Sequence, residues 1–191
     1  TTGGIRGGKK KLDKFYPRSF NMGMRRDVYN KLGGFSKMRF GEDIDFSIRI
    51  FKAGCRCRLF PGAWVYHKRR TDFRKFWRQV FNSGIARINL YKKYPESLKL
   101  VHLLPMVFTV GVFFLLALFV AGAVIAQACC QSLGIALSLV ALSPLVLYSL
   151  LIFVDSSLHN HSLRIGQLSI RAAFTQLMGY GCGFLQAWWR R

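Results

Sequence analysis

From Leu100 to Val154 the chain runs 55 residues without an Asp, Glu, Lys or Arg. A membrane helix takes about 20 apolar residues, so the run holds two spans, predicted at 100–126 and 135–154. The polar cluster "QACCQS" (127–132), followed by Gly134, is the turn between them. A buried hairpin of a soluble protein rarely sustains so long a run without charge, and the pattern reads as a membrane protein. After the second span, Asp155, His159, His161, Arg164 and Arg171 predict a polar loop. The uncharged segment 172–189, ending in "WWRR", then predicts an interfacial or re-entrant third helix, with Gly179 and Gly183 spaced for close helix packing.

Before the apolar run the periods are shorter. Residues 1–19 are Gly- and Lys-rich and read as a loop. "RRDVYNKLGGF" predicts a short helix from Arg25 to Leu32, closed by Gly33 and Gly34. Ile44, Ile48 and Phe51 stand at i, i+4, i+7, which predicts a helix from Glu42 to the closing Gly54. "CRCRLF" alternates as a strand does, Pro61-Gly62 turns the chain, and "AWVYH" predicts a second short strand. Thr71 is placed to cap a longer helix over 72–94, whose stripe is Phe73, Phe76, Trp77, Val80, Phe81, Gly84 and Ile88. A basic helix with Trp and Phe on one face suits a membrane interface; packing against its own domain accounts for the same stripe.

Charge sharpens the division. Residues 1–99 carry 25 Lys and Arg against 7 Asp and Glu, and residues 100–191 carry 4 against 1. A basic portion of this kind meets anionic lipid, a phosphorylated substrate or nucleic acid, but no motif that reads RNA or DNA is present, so nucleic acid is not an expected partner. Basic loops gather on the cytoplasmic side of membranes, so the expected location is the cell (inner) membrane, multi-pass, with the basic domain cytoplasmic. Five cysteines (55, 57, 129, 130, 182) lack metal-ligand spacing and are odd in number, which argues against a zinc site and a disulfide framework.

Three of the eight acids fall within four positions, Glu42, Asp43 and Asp45. As a D-x-D pair, Asp43 and Asp45 suggest a divalent cation, although i and i+2 on a helix point about 200° apart. As a helix start, the acids favour the positive end of the helix, with Asp45 four residues before Arg49. As a catalytic group, a carboxylate after a flexible glycine can act as general base on an acceptor hydroxyl. Composition does not choose between the last two.

The stretch from Phe20 to Ile88 resembles the acceptor-side half of a family 2 glycosyltransferase of the GT-A fold. The elements that carry the resemblance come in the family's order: "FNMGMRR", "LGGF", "GEDIDFSIRI", "AG" and "PGAWVYHKRR". The resemblance implies an α/β fold, a partial GT-A domain over 20–94, followed by the helical membrane region 95–191. It implies that Asp43 is the base that deprotonates the acceptor, with Glu42 and Asn21 at the acceptor site. It places His67 beside the metal or diphosphate, with Arg69 and Arg70 next to the leaving diphosphate. A divalent metal, Mg²⁺ or Mn²⁺, is implied, its main ligands expected upstream of Thr1; His67 is the one metal candidate within the chain. The implied partners are a nucleotide-sugar donor, a saccharide or lipid-linked acceptor, and membrane lipid.

Two departures qualify the resemblance. Processive members carry Q-x-x-R-W where this chain has "RQVFNSG", keeping Gln79 but not Arg-Trp, which argues against a polymer-extruding synthase. No strand-helix series with its own D-x-D precedes Phe20, so the chain is expected to be a piece of a longer protein and inactive alone. The expected activity is inverting sugar transfer to an acceptor hydroxyl, in cell-envelope glycan or glycolipid synthesis. The alternatives are transfer onto polyprenyl phosphate and a non-catalytic module that binds anionic lipid.

Overall fold

The computed structural model describes residues 19–60, 62, 63, 65, 66 and 71–190. The chain divides into two units, Thr1–Arg69 and Arg70–Arg191.

In the first unit a single turn of 3-10 helix, Ser19–Asn21, precedes α1 (Arg26–Lys31) and α2 (Glu42–Lys52). Of the predicted apolar stripe, Ile44 and Phe51 are half-buried in helix α2; the buried apolar side chains are Phe46, Ile48 and Ile50. Each such side chain removed from water contributes about 1.5–3 kcal/mol. The helix opens after Gly41, whose φ of +84° is left-handed backbone that a β-carbon disfavours, and its last residue is Lys52.

The expected α/β class is corrected here: among the described residues the first unit has helices and no strand. Residues 55–60 keep the period of two, with Cys55, Cys57 and Leu59 half-buried and Arg56, Arg58 and Phe60 exposed. Backbone bonds next to this segment are local, from Cys55 N–H to the Ile50 carbonyl and from Ala63 N–H to the Phe60 carbonyl. Alternation reports extended backbone with one covered side, whereas a strand also needs a neighbour to bond with. Of the second predicted strand, Ala63, Val65 and Tyr66 likewise form no strand; Trp64 and His67 lie outside the described residues. Burial pushes the Cys57 thiol up, which suits a small packing residue rather than a reactive one.

The second unit is all helix: α3 (Phe73–Lys93), α4 (Leu104–Ala128), α5 (Gln131–Asn160) and α6 (Leu163–Trp189), with 3-10 turns at Pro95–Ser97 and Leu100–His102. Asp72, one residue after the expected Thr71, caps α3 by accepting from Arg74 N–H (2.6 Å) and Lys75 N–H (3.1 Å). Those bonds, Lys75 first, hold its carboxyl below the usual range. The stretches Leu100–Ala128 and Gln131–Asn160 are each long and apolar enough to cross a membrane, and the chain reverses at Cys129–Cys130. Most of their side chains are exposed; Phe114 is at 61% and Val140 at 67%.

The predicted polar loop at 155–171 is mostly helix, because α5 continues to Asn160 and α6 begins at Leu163 under a Ser162 cap. Ser156 and Ser169 join the two helices by a 2.6 Å hydroxyl bond, so polar residues here serve packing. Rings of Phe108, Tyr148 and Phe174 meet at 5.3–5.7 Å and bring α4, α5 and α6 together. The Thr109 hydroxyl is shared between the Pro105 carbonyl (2.8 Å) and that of Leu177 (3.3 Å).

Helices α3 and α6 run in the same direction and in very close contact. A β-carbon on Gly84 would collide with the backbone of Tyr180 and Phe184, and one on Gly183 with the Phe81 carbonyl. Further along, Ile88 is buried with Phe184 and Ala187, and Tyr91 stacks on Trp188 at 5.9 Å. Lys92 Nζ donates to the carbonyls of Ala187 (3.1 Å) and Arg190 (2.6 Å). Val80, Gly84 and Ile88 of the α3 stripe are thus buried, while Trp77, Arg74, Lys75 and Arg78 remain exposed.

Candidate active site

The acidic cluster sits on the first turn of α2. Asp43 is 5% exposed and Asp45 is fully buried, whereas Glu42 is half-buried. Asp43 Oδ1 accepts from the N–H of Ile44 at 2.9 Å, and its carbonyl accepts the Ser47 hydroxyl at 2.7 Å. Asp45 N–H donates to the Gly41 carbonyl at 2.9 Å, closing the first turn. The left-handed Gly41 and this closed turn fix where the Asp43 carboxylate begins.

Asp45 has a different task. Its Oδ2 lies 3.0 Å from Arg49 Nε, one helical turn on. Arg49 then spends the rest of its fork on backbone, donating from Nη1 to the Leu32 carbonyl (2.5 Å) and from Nη2 to that of Gly34 (2.6 Å). Its guanidinium also lies 4.9 Å from the centre of the Phe46 ring. A planar fork with donors on two edges can satisfy one carboxylate and two carbonyls at once, which an ammonium cannot. Helix α2 is therefore tied to the "LGGF" turn by a half-buried charged group.

Aromatic packing makes the same connection. Phe46 is fully buried and meets Phe35 at 5.0 Å and Tyr29 at 5.9 Å. Gly34 takes a φ of +67°, and a β-carbon there would come within 2.6 Å of the Tyr29 ring. The turn needs glycine both for its backbone and for the room it leaves the tyrosine.

Of the residues singled out in the sequence, Glu42 and Asp43 stand side by side at the start of α2. Asn21 donates from Nδ2 to the Ala63 carbonyl at 3.4 Å, which joins the 3-10 turn to the segment after Pro61-Gly62. His67, Arg69 and Arg70 lie outside the described residues. Sequence reasoning paired Asp45 with Arg49, but the two carbonyl bonds of Arg49 span 17 and 15 residues and no local pattern announces them.

The described residues do not fit a divalent metal. Asp45 is buried against Arg49, Asp43 and Asp45 leave the helix in divergent directions, and among the described residues no group of three His, Cys, Asp or Glu side chains converges.

Comparison with known proteins adds to this geometry. Residues 20–154 match a family model described as "Glycosyl transferase family group 2". Over 71 residues the chain is 32% identical to the Bacillus subtilis (strain 168) protein named "Probable glycosyltransferase YdaM". That alignment takes in 37% of this chain and 16% of the relative, so the chain matches only a small part of the relative's length. No solved structure matches the chain.

Proposed function

The chain belongs to glycosyl transferase family group 2, and from that premise we propose that it supplies the acceptor side of an enzyme that transfers a sugar from a nucleotide-sugar to an acceptor hydroxyl, with inversion. The observation that carries this reading is the nearly buried Asp43 carboxylate on the first turn of a helix anchored by Arg49. Asp43 takes the proton of the acceptor hydroxyl as that oxygen attacks the anomeric carbon. The bond from that carbon to the nucleoside diphosphate breaks on the opposite side, and the diphosphate leaves with the electron pair. Glu42 and Asn21 are proposed to position the acceptor. Arg69 and Arg70 are proposed to meet the departing diphosphate, which guanidinium groups suit. A divalent metal, where the whole protein uses one, would draw on ligands outside the described residues, with His67 a candidate.

The membrane is proposed as the setting. Helices α4 and α5 present long rows of exposed Leu, Val and Phe, a surface far more apolar than water tolerates on a monomer. The bias of Lys and Arg toward residues 1–99 favours a cytoplasmic face for the catalytic unit. Helix α6 carries Arg164 and Arg171 in its first half and packs along the basic α3 in its second, which favours an interfacial position over a third span. Such a setting suits a lipid-linked or envelope glycan acceptor.

The test is sugar transfer by the full-length protein in membranes, from labelled nucleotide-sugars, with and without Asp43→Asn. Loss of turnover by about 10²- to 10⁴-fold is expected. Turnover close to normal in Asp43→Asn refutes Asp43 as the base and favours an acceptor that is already ionised, such as a polyprenyl phosphate.

A further inference from the structure

The exposed side of α3 is shaped as well as charged. Arg74, Trp77, Arg78 and Phe81 line one groove beside the seam with α6. Arg74 and Arg78 are exposed and stand one helical turn apart, so both guanidinium groups reach the same flank. Trp77 lies between them, 38% exposed. The inner edge of its indole rests over Gly179 of α6, where a β-carbon would come to 3.3 Å of Cε3. The ring is thus seated by a neighbouring helix and its outer edge faces the groove. Phe81, half-buried, supplies the apolar wall.

The electrostatic setting is one-sided. Neither α3 nor α6 contains an Asp or Glu, while together they carry Arg74, Lys75, Arg78, Arg87, Lys92, Lys93, Arg164 and Arg171. Asp72, the nearest acid in sequence, receives the capping N–H groups of Arg74 and Lys75. The same compact unit holds the two apolar stretches long enough to cross a membrane. A groove with two guanidinium groups, an indole and a phenyl wall matches a ligand with a phosphate at one end and hydrocarbon at the other.

We infer that this groove binds the headgroup phosphate of an anionic phospholipid, an inference that rests on the membrane setting proposed above. Arg74 and Arg78 hold the phosphate oxygens, and Trp77 sits at the headgroup level where amphipathic rings settle. Phe81 lies against the glycerol and upper acyl chain. The site would hold α3 at the membrane surface through a fixed lipid and not by diffuse attraction alone.

The experiment uses the full chain in nanodiscs of phosphatidylcholine and phosphatidylglycerol in equal parts, with retained lipids counted by native mass spectrometry. Wild type is expected to retain phosphatidylglycerol in preference to phosphatidylcholine. Arg74→Gln with Arg78→Gln is expected to lower that preference by on the order of tenfold. Arg56→Gln with Arg58→Gln, which removes the same charge from the first unit, should leave it unchanged. Equal retention of both lipids by wild type overturns the inference, as does an unaltered preference in the Arg74/Arg78 variant or release of the lipid by millimolar inorganic phosphate. A chain that does not enter nanodiscs at all overturns the membrane setting, and the lipid site with it. Sugar transfer is not read in this assay, so its outcome stands apart from the role of Asp43.

Discussion

The guanidinium of Arg49 donates to the carbonyl of Leu32 at 2.5 Å, 17 residues earlier in the chain. With Asp45 on its other edge, Arg49 couples the turn after α1 to the helix that carries Asp43. Arg49→Leu should cost about 3–5 kcal/mol, since it takes the guanidinium away from the buried Asp45 and from two backbone carbonyls at once. Arg49→Lys keeps the charge without the fork and should fall between that variant and wild type. Thermal unfolding of the purified chain in detergent gives the ranking, and a Leu variant as stable as wild type would contradict it.

Gly33 and Gly34 separate two effects that are usually mixed. Both have positive φ, +71° and +67°, but a β-carbon on Gly33 meets nothing within 4 Å while one on Gly34 enters the Tyr29 ring. Gly33→Ala should therefore cost about 1–2 kcal/mol from backbone alone. Gly34→Ala should cost more, because Tyr29 must also leave Phe46. Equal melting temperatures for the two variants would show that the ring contact contributes nothing.

The seam between α3 and α6 is testable in the same way. Gly84→Val puts a branched side chain against the backbone of Tyr180 and Phe184 and should destabilise by about 1–3 kcal/mol or more. Gly111→Ala, in α4 with nothing within 4 Å, should be neutral or stabilising by up to about 1 kcal/mol. If Gly84→Val melts no earlier than Gly111→Ala, the two helices are not in the contact described.

Acid should weaken the start of α3. The folded carboxyl of Asp72 is held below its ordinary value of 3.8 by the N–H groups of Lys75 and Arg74. A depressed carboxyl stabilises the fold above the ordinary value and loses that contribution as pH falls through the folded one. Asp72→Ala should therefore melt below wild type at neutral pH, with the gap closing below about pH 4. A gap that widens toward acid would reverse the assignment.

Helix α2 was legible in the sequence because three apolar residues repeat at helical spacing and glycines bracket them. Asp45 with Arg49 was legible for the same reason, as a pair one turn apart. The predicted strands failed because alternation at 55–60 records which side is covered and says nothing of a bonded neighbour. The polar loop failed because Asp155, Ser156, Arg164, Ser169 and Arg171 ride on helices whose apolar faces pack together. At the candidate site, the reach of Arg49 to Leu32 and Gly34 was hidden, since it depends on how a turn and a helix dock. The burial of Asp43 was hidden too, since acids in a first turn are commonly solvated.

Parallel packing of α3 and α6 has an electrical consequence. Two helices that run the same way bring their partial negative ends to one place, where they repel. Lys92 stands in the last turn of α3 and reaches the final carbonyls of α6, so one ammonium serves both helix ends as counter-charge. Removing it would leave two like dipoles side by side with less to hold them together.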